Sequence, residues 1–459
     1  VALAPVWDFS TAGLDTGLAV GWLGITWWAL CRLVCQDPGS RPSGARRWVY
    51  LLIGLGPLVR PDLAVMSVVF AGLILAIETS WRKRVTAIVW VVSIPLAYQV
   101  FRMAYYAALV PNTALAKEAS SSDWWRGWAY FLDFFGAYRL WIPVALLVVA
   151  GLVPLFRSPL VRRSRSLVFL ITAPLVASLL HATYVIRVGG DFMHARMLLP
   201  SLGCFLLPAA VIVVRGWRWL GVSAVAVWVL VCALFLRSDY LFRNFTHPGH
   251  IGLPSRDALV GDERAVDVGA SGQENPVTLD DYGVRHSGFQ SVWVSDGREV
   301  RRRAAAGERG FLVDGLDPGA ALLPLRAGVV TTSIVAVFPN IGLYGYAAGP
   351  DVFVVDKYGI ADPYAARLTI QRGTAGHEKN IDPAWEFARF VAPPLGEQSF
   401  AVQNARRALR CADLPKLFRD VTSSLGVHQA WRNFWDSFSL TSLRIPRSTK
   451  TAARELCNK

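Results

Sequence analysis

Eight stretches of the chain contain no Asp, Glu, Lys or Arg: residues 18–31, 48–59, 63–77, 85–101, 140–156, 166–186, 198–214 and 220–236. Apolar runs this dense read as membrane helices, since a hydrocarbon layer of about 30 Å takes about 20 helical residues. The second and third runs fall short of that length and are separated only by Arg60-Pro61-Asp62. They read as a broken or re-entrant pair, because charge and irregular backbone at such depth persist only inside protein or beside a water-filled cavity.

Composition agrees with this reading. At 53% hydrophobic and 17% charged residues, with a mean hydropathy of +0.37, the chain is too apolar for a wholly soluble enzyme. Residues 1–236 hold 20 Lys+Arg against 9 Asp+Glu, which leaves 27 against 24 for the other 223 residues. The net +14 therefore divides as +11 and +3. A membrane part, 1–236, is expected to precede a soluble part, 237–459. The excess charge lies between apolar runs and forms no basic stripe interleaved with stacking aromatics, so nucleic acid is not an expected partner. The chain opens on Val1 with no charged n-region or signal-like segment, and part of a longer protein is expected N-terminal to it.

Cytoplasmic connections retain Lys and Arg. One alternating set of connections carries Arg32, Arg41, Arg46, Arg47, Arg82, Lys83, Arg84, Arg157, Arg162, Arg163, Arg165, Arg215 and Arg218 against only Asp37 and Glu78. That set is expected to face the cytoplasm. The other set balances seven basic with seven acidic residues and is expected to face outward together with the tail. In the tail, β-rich runs at 328–338, 344–348 and 352–356 precede helical patterns at 382–391 and 404–411, which suggests an α/β domain. Cys31, Cys35, Cys204 and Cys232 lie in or beside apolar runs and read as small buried hydrophobes. Cys411 and Cys457 stand alone in the tail, where an oxidising compartment would favour a disulfide between them, two unpaired thiols being the alternative.

The outward connections carry the unusual motifs. Ser10-Thr11-Ala12-Gly13-Leu14-Asp15 opens a helix, and Asp15 there serves either the site or the helix dipole. Arg60 and Asp62 flank a helix break, where intramembrane charge points to function or to an ion pair holding the break. The loop 102–139 contains Asn112, Lys117 and the tryptophans of Asp123-Trp124-Trp125-Arg126-Gly127-Trp128, which read as an amphipathic helix in the headgroup plane. Arg187-Val188-Gly189-Gly190-Asp191-Phe192-Met193-His194-Ala195-Arg196 joins a glycine turn to four ionisable side chains. Within it, Asp191 either pairs with Arg196 or, with His194, contacts sugar hydroxyls while Arg187 and Arg196 bind phosphate. In the tail, Asp280-Asp281-Tyr282-Gly283 stands out, and DVFVVDKYGIAD (351–362) reads as the end of a strand running into a loop, either a binding loop or a turn capped by aspartate. No Walker motif, GxSxG elbow, HExxH or paired CxxC occurs.

STAGLDTGL, LVRPD, YYAALVPNTALAK and VGGDFMHAR, in this order and with apolar helices between them, together with YGIADP in the tail, resemble the terminal β-1,2-arabinofuranosyltransferases of mycobacteria and corynebacteria, the AftB type. The resemblance covers most of the chain. It implies a polytopic α-helical membrane core of GT-C type followed by an exported, carbohydrate-associated α/β domain. It also implies transfer of arabinofuranose from decaprenylphosphoryl arabinofuranose to arabinan ends of arabinogalactan and lipoarabinomannan. The catalytic carboxylate of such enzymes sits in the first outward loop, expected here N-terminal to Val1, so no catalytic residue is assigned.

An exported transferase has no nucleotide sugar at hand, and a polyprenyl-phosphate donor with an arabinan acceptor is the chemically sensible pair. Inversion needs a carboxylate near the acceptor hydroxyl and cations at the departing phosphate. Arg60, Lys117, Arg187 and Arg196 are the candidate phosphate-binding residues; Asp15, Asp62, Asn112, Asp191 and His194 would bind sugar or orient those cations. No metal-ligand set is read and no cofactor is assigned, with room left for a divalent cation. The rival reading is a transporter or flippase of a polyprenyl-linked sugar, using the same cavity without chemistry; no internal symmetry supports it.

Overall fold

The computed structural model describes residues 3–35, 43–118, 121–236, 260–282, 289–339, 341–369, 379–393 and 399–458. The chain divides into two compact units, Val1–Gln99 with Ser122–Asp262 and Val100–Ser121 with Glu263–Lys459. The expected boundary at 236/237 adjoins residues outside the described set, and Asp37, Arg41 and Gly283 lie outside it.

Helices occupy all eight apolar runs, the one in 198–214 ending at Val211. Thr16–Cys35, Trp81–Tyr106, Arg165–Arg187 and Arg218–Phe235 are long and apolar enough to cross a membrane. A fifth crossing is reached if Trp124–Ala137 and Trp141–Arg157, bent by 81° at their junction, count as one broken span. The remaining apolar helices are short. Exposed Leu18, Ile25, Trp28, Val68, Val89 and Leu230 stud these helices, a surface that water would penalise and acyl chains would not.

The first unit's core gathers Trp22, Leu23, Trp27, Ile53, Met66 and Phe70. Two hydrogen bonds fix the short hairpin: Trp22 Nε1 donates to the Leu52 carbonyl at 2.7 Å and Ser67 Oγ to that of Ile53 at 2.7 Å. Between its arms the helix stops at Arg60, whose backbone is extended at φ −150°, ψ 135°, and Pro61–Leu63 form a single tight turn before Ala64–Ile77. Pro61 has no N–H and disfavours helical backbone at the residue before it, which is the local cause of the break.

The second unit contains a parallel sheet in the order β1 (Gly310–Leu312), β2 (Ile334–Phe338), β3 (Val352–Asp356), with Gly310 opposite Ile334 and Ile334 opposite Val352. Along β2, Ile334, Ala336 and Phe338 face one apolar cluster while Val335 and Val337 face another, so both sheet faces are covered. The run 344–348, expected to be β-rich, is instead helical, within Ile341–Ala348. Neighbouring parallel strands need a crossover rather than a hairpin, and this helix supplies it. The expected helices at 382–391 and 404–411 correspond to Pro383–Phe390 and Phe400–Ala408, whose first turns are capped by the side chains of Asp382 and Ser399. A further cluster of Trp385, Val402, Leu414, Leu417, Leu440 and Ile445 packs the C-terminal helices together. Cys411 and Cys457 are bonded, Sγ to Sγ at 2.13 Å.

Candidate functional site

Five charged residues of the first unit, drawn from three of the motifs, form one connected cluster. Arg60 grips Asp62 as a fork, Nε to Oδ1 at 3.0 Å and Nη2 to Oδ2 at 2.7 Å, and its Nε also lies 3.2 Å from Asp15 Oδ2. Arg196 Nη2 reaches the other Asp15 oxygen at 3.1 Å, and its Nη1 reaches Asp191 Oδ2 at 3.4 Å. One carboxylate thus bridges two guanidinium groups.

Backbone geometry delivers each member. Asp15 immediately precedes the helix Thr16–Cys35, and its carbonyl accepts the N–H of Ala19 at 2.9 Å. The break after Val59 frees Arg60 and Asp62 from helical spacing, so that side chains two residues apart meet on one side. Asp191 and Arg196 sit on the turn after Arg165–Arg187, where Gly189 and Gly190 adopt φ of +89° and +68°. A Cβ on Gly190 would stand 2.4 Å from the Tyr130 ring, so this turn needs glycine for close approach as well as for its dihedrals.

Beneath the cluster lies His181, fully buried in the helix Arg165–Arg187. Its Nε2 is 2.7 Å from Asp62 Oδ2 and its Nδ1 2.7 Å from Ser201 Oγ. With Asp62 ionised, the His181 Nε2–H donates to it, and Nδ1 faces the Ser201 hydroxyl. Sequence reasoning passed over His181, although a histidine within an otherwise uncharged span is itself a functional signal.

The helix Trp124–Ala137 braces the turn from another side. Arg126, Tyr130 and Asp133 follow the i, i+4, i+7 spacing of one helical face. Arg126 Nε donates to the Gly189 carbonyl at 3.0 Å, Tyr130 Oη donates to the Met193 carbonyl at 2.9 Å, and Asp133 Oδ2 meets His194 Nδ1 at 2.6 Å. That spacing was the sequence signal for these three. The tryptophans on the same helix, Trp124, Trp125 and Trp128, are exposed.

The cluster is graded in exposure. Asp15 is 30% exposed and Arg196 18%, whereas Arg60 is 5% and His181 0%. Two arginines against three aspartates leave a formal −1 on these five side chains, so their overall charge opposes an anion. Directed donors remain: Arg60 Nη1 and Arg196 Nε are buried without a hydrogen-bond partner. Such a group costs about 1–3 kcal/mol until an acceptor reaches it.

The other expected site residues fall elsewhere. Arg187 ends its helix, and its carbonyl accepts the Asp123 N–H at 2.8 Å. Asn112 and Lys117 belong to the second unit, where Asn112 Nδ2 donates to the carbonyls of Gly359 and Ile360 at 3.2 and 3.0 Å. Three aspartates of the tail motifs cap turns: Asp356 accepts the N–H groups of Tyr358 and Ala361, Asp362 those of Tyr364 and Ala365, and Asp281 those of Val277 and Thr278. Among the described residues no three His, Cys, Asp or Glu side chains converge as a metal would need.

Apolar helices enclosing a graded string of paired charges at a helix break define a multi-helix membrane protein with a polar site. Residues 324–452 match the model of the AftB family C-terminal domain. The chain is 30% identical to a terminal β-(1→2)-arabinofuranosyltransferase of Mycobacterium tuberculosis, over 97% of its own length and 76% of that protein's. It is 31% identical to the enzyme of the same name from Corynebacterium glutamicum, over 96% and 68%. No solved structure matches. The chain belongs to the terminal β-(1→2)-arabinofuranosyltransferase family and is an enzyme of the glycosyltransferase class.

Proposed function

We propose that this protein transfers arabinofuranose from a polyprenyl-phosphate donor to the non-reducing ends of arabinan in the cell wall, with inversion at the anomeric carbon. The acceptor hydroxyl oxygen forms the new bond to C1 as the bond from C1 to phosphate oxygen breaks, and polyprenyl phosphate leaves with the electron pair. A carboxylate takes the hydroxyl proton. Asp15, Asp62 and Asp191 are occupied in holding Arg60 and Arg196, and the base is assigned to none of them.

The observation that carries this reading is the pair of guanidinium groups sharing Asp15, each with an unpartnered N–H. A phosphodiester oxygen accepting those donors would stabilise the charge that develops on the leaving group. Arg196 can turn toward it by releasing Asp191, the longest contact in the cluster. Lys117 and Arg187 remain proposed phosphate ligands, and Asn112 and His194 proposed sugar contacts, each resting on its motif. Two features support an outward-facing site: the basic bias of the opposite connections, and the disulfide in the second unit, which an oxidising compartment maintains.

The test is sugar transfer by the complete protein, from a polyprenyl-phosphate arabinofuranose to a short arabinofuranose acceptor, with a nucleotide sugar as control. The expected result is an acceptor extended only with the lipid donor, and a loss of at least about 100-fold in kcat/KM for Arg60→Ala and Arg196→Ala. Unchanged rates and donor affinity in both variants would sink the phosphate assignment.

A further inference from the structure

The second unit carries an aromatic surface that sugar transfer does not explain. Along the helix Val427–Ser442, Asn433, Ser437 and Leu440 point into the protein. On the opposite side Val427, Trp431, Trp435 and Phe438 form a stripe, 91%, 64%, 54% and 50% exposed. The spacing of four, four and three residues keeps this stripe along a single helical face. Trp431 and Trp435 contact one another edge to face at 5.6 Å between ring centroids, so the stripe is continuous.

Its position in the unit is fixed by two polar contacts. Asn433 Nδ2 donates to the Ala104 carbonyl at 3.0 Å, and Thr441 Oγ1 accepts the Leu109 N–H at 2.9 Å. Ala104 lies in the last turn of Trp81–Tyr106, the longest of the helices able to cross a membrane, and Leu109 follows directly after it. The same last turns expose Phe101, Tyr105 and Tyr106. A span that ends in exposed tyrosines ends where aromatic rings concentrate, at the boundary of headgroups and acyl chains.

We propose that the helix Val427–Ser442 is an interfacial anchor that lays Trp431, Trp435 and Phe438 into the lipid headgroup region on the side where Trp81–Tyr106 emerges. The occupant of the stripe is bilayer, because the stripe is fastened within the second unit to the last turn of a helix that is long and apolar enough to cross a membrane. Tryptophan suits that boundary through its apolar body and polar N–H. On the polar flank of the helix, Asp436 is tied to Arg419 at 2.6 Å.

The experiment places single nitroxide labels at positions 431, 435 and 432 of the full-length chain in lipid nanodiscs. The four free cysteines, Cys31, Cys35, Cys204 and Cys232, are replaced and the Cys411–Cys457 bond is retained. Labels at 431 and 435 are expected to collide more with oxygen than with a water-soluble nickel chelate, and the label at 432 the reverse. Preference for the nickel chelate at 431 and 435 would mean a stripe in water, free for glycan or another soluble ligand, and would overturn the proposal. Low access to both reagents would mean cover by protein, a second copy included, and would equally overturn it. A second measurement avoids the cysteine replacements. Brominated lipid should quench a larger fraction of tryptophan emission in the parent than in the Trp431→Phe/Trp435→Phe variant, and equal fractions would count against the anchor.

Discussion

At the scale of single residues, the cluster turns on side chains whose value depends on what holds them. Asp62 could not keep Arg60 in place alone, since a carboxylate at a helix break needs its own orientation fixed. His181, braced by Ser201, supplies it. Losing a hydrogen bond to a charged group costs about 1.5–3 kcal/mol, so His181→Ala should lower donor kcat/KM by about 10- to 100-fold. His181→Gln, which restores a donor toward Asp62, should recover part of that loss. Equal damage in both variants would mark His181 as packing alone. In the second unit, burial holds the Glu386 carboxyl up at about 7 instead of 4.5, with Lys357 and Arg389 opposing and Asp362 and Asp382 adding to the shift. The folded state therefore keeps a proton that the unfolded chain gives up between those values. Stability from this group is highest below pH 4.5 and falls as pH rises toward 7, by on the order of 3 kcal/mol. Glu386→Gln should flatten the dependence of melting temperature on pH across that window.

At the scale of elements, the motif readings succeeded where a local rule sufficed. Gly189-Gly190 was legible as a turn, because glycine alone adopts positive φ without a Cβ penalty. Gly190→Ala should cost about 3 kcal/mol or more, since its Cβ meets the Tyr130 ring at a positive φ. Gly13→Ala has the same φ of +68° but open space around it, and should cost only about 1 kcal/mol. Melting of both variants in detergent separates strain from collision. The helix break at Arg60-Pro61-Asp62 was equally legible, because proline acts on its neighbours alone. The run 344–348 misled for the opposite reason. Its residues suit a strand, and the parallel pairing of β2 with β3 made it a crossover helix. Asn112 was a candidate sugar ligand on its motif, and the fold places its amide on the carbonyls of Gly359 and Ile360, almost 250 residues away in sequence.

For the whole molecule, the segment Val100–Ser121 packs with Glu263–Lys459 rather than with the helices that flank it in sequence. The second unit is also tied at its far end by Cys411–Cys457, which closes a loop of 46 residues. Closing such a loop removes unfolded-state entropy worth about 4 kcal/mol at 25 °C. Cys411→Ser/Cys457→Ser should lower the melting temperature of the full chain, and thiol labelling under denaturing conditions should count two fewer reactive cysteines in the parent than the sequence contains. No change in melting would mean that packing against Ala452, Ala453 and Leu456 already secures the C-terminal helix. What the sequence determined by itself was the membrane character, the order of charged motifs and the family, because bilayer thickness and proline or glycine chemistry act on consecutive residues. What tertiary structure decided was the pairing: Asp15 between Arg60 and Arg196, and His181 beneath Asp62. Those partners stand up to 181 residues apart, and only the packing of separate helices brings their side chains within hydrogen-bond reach.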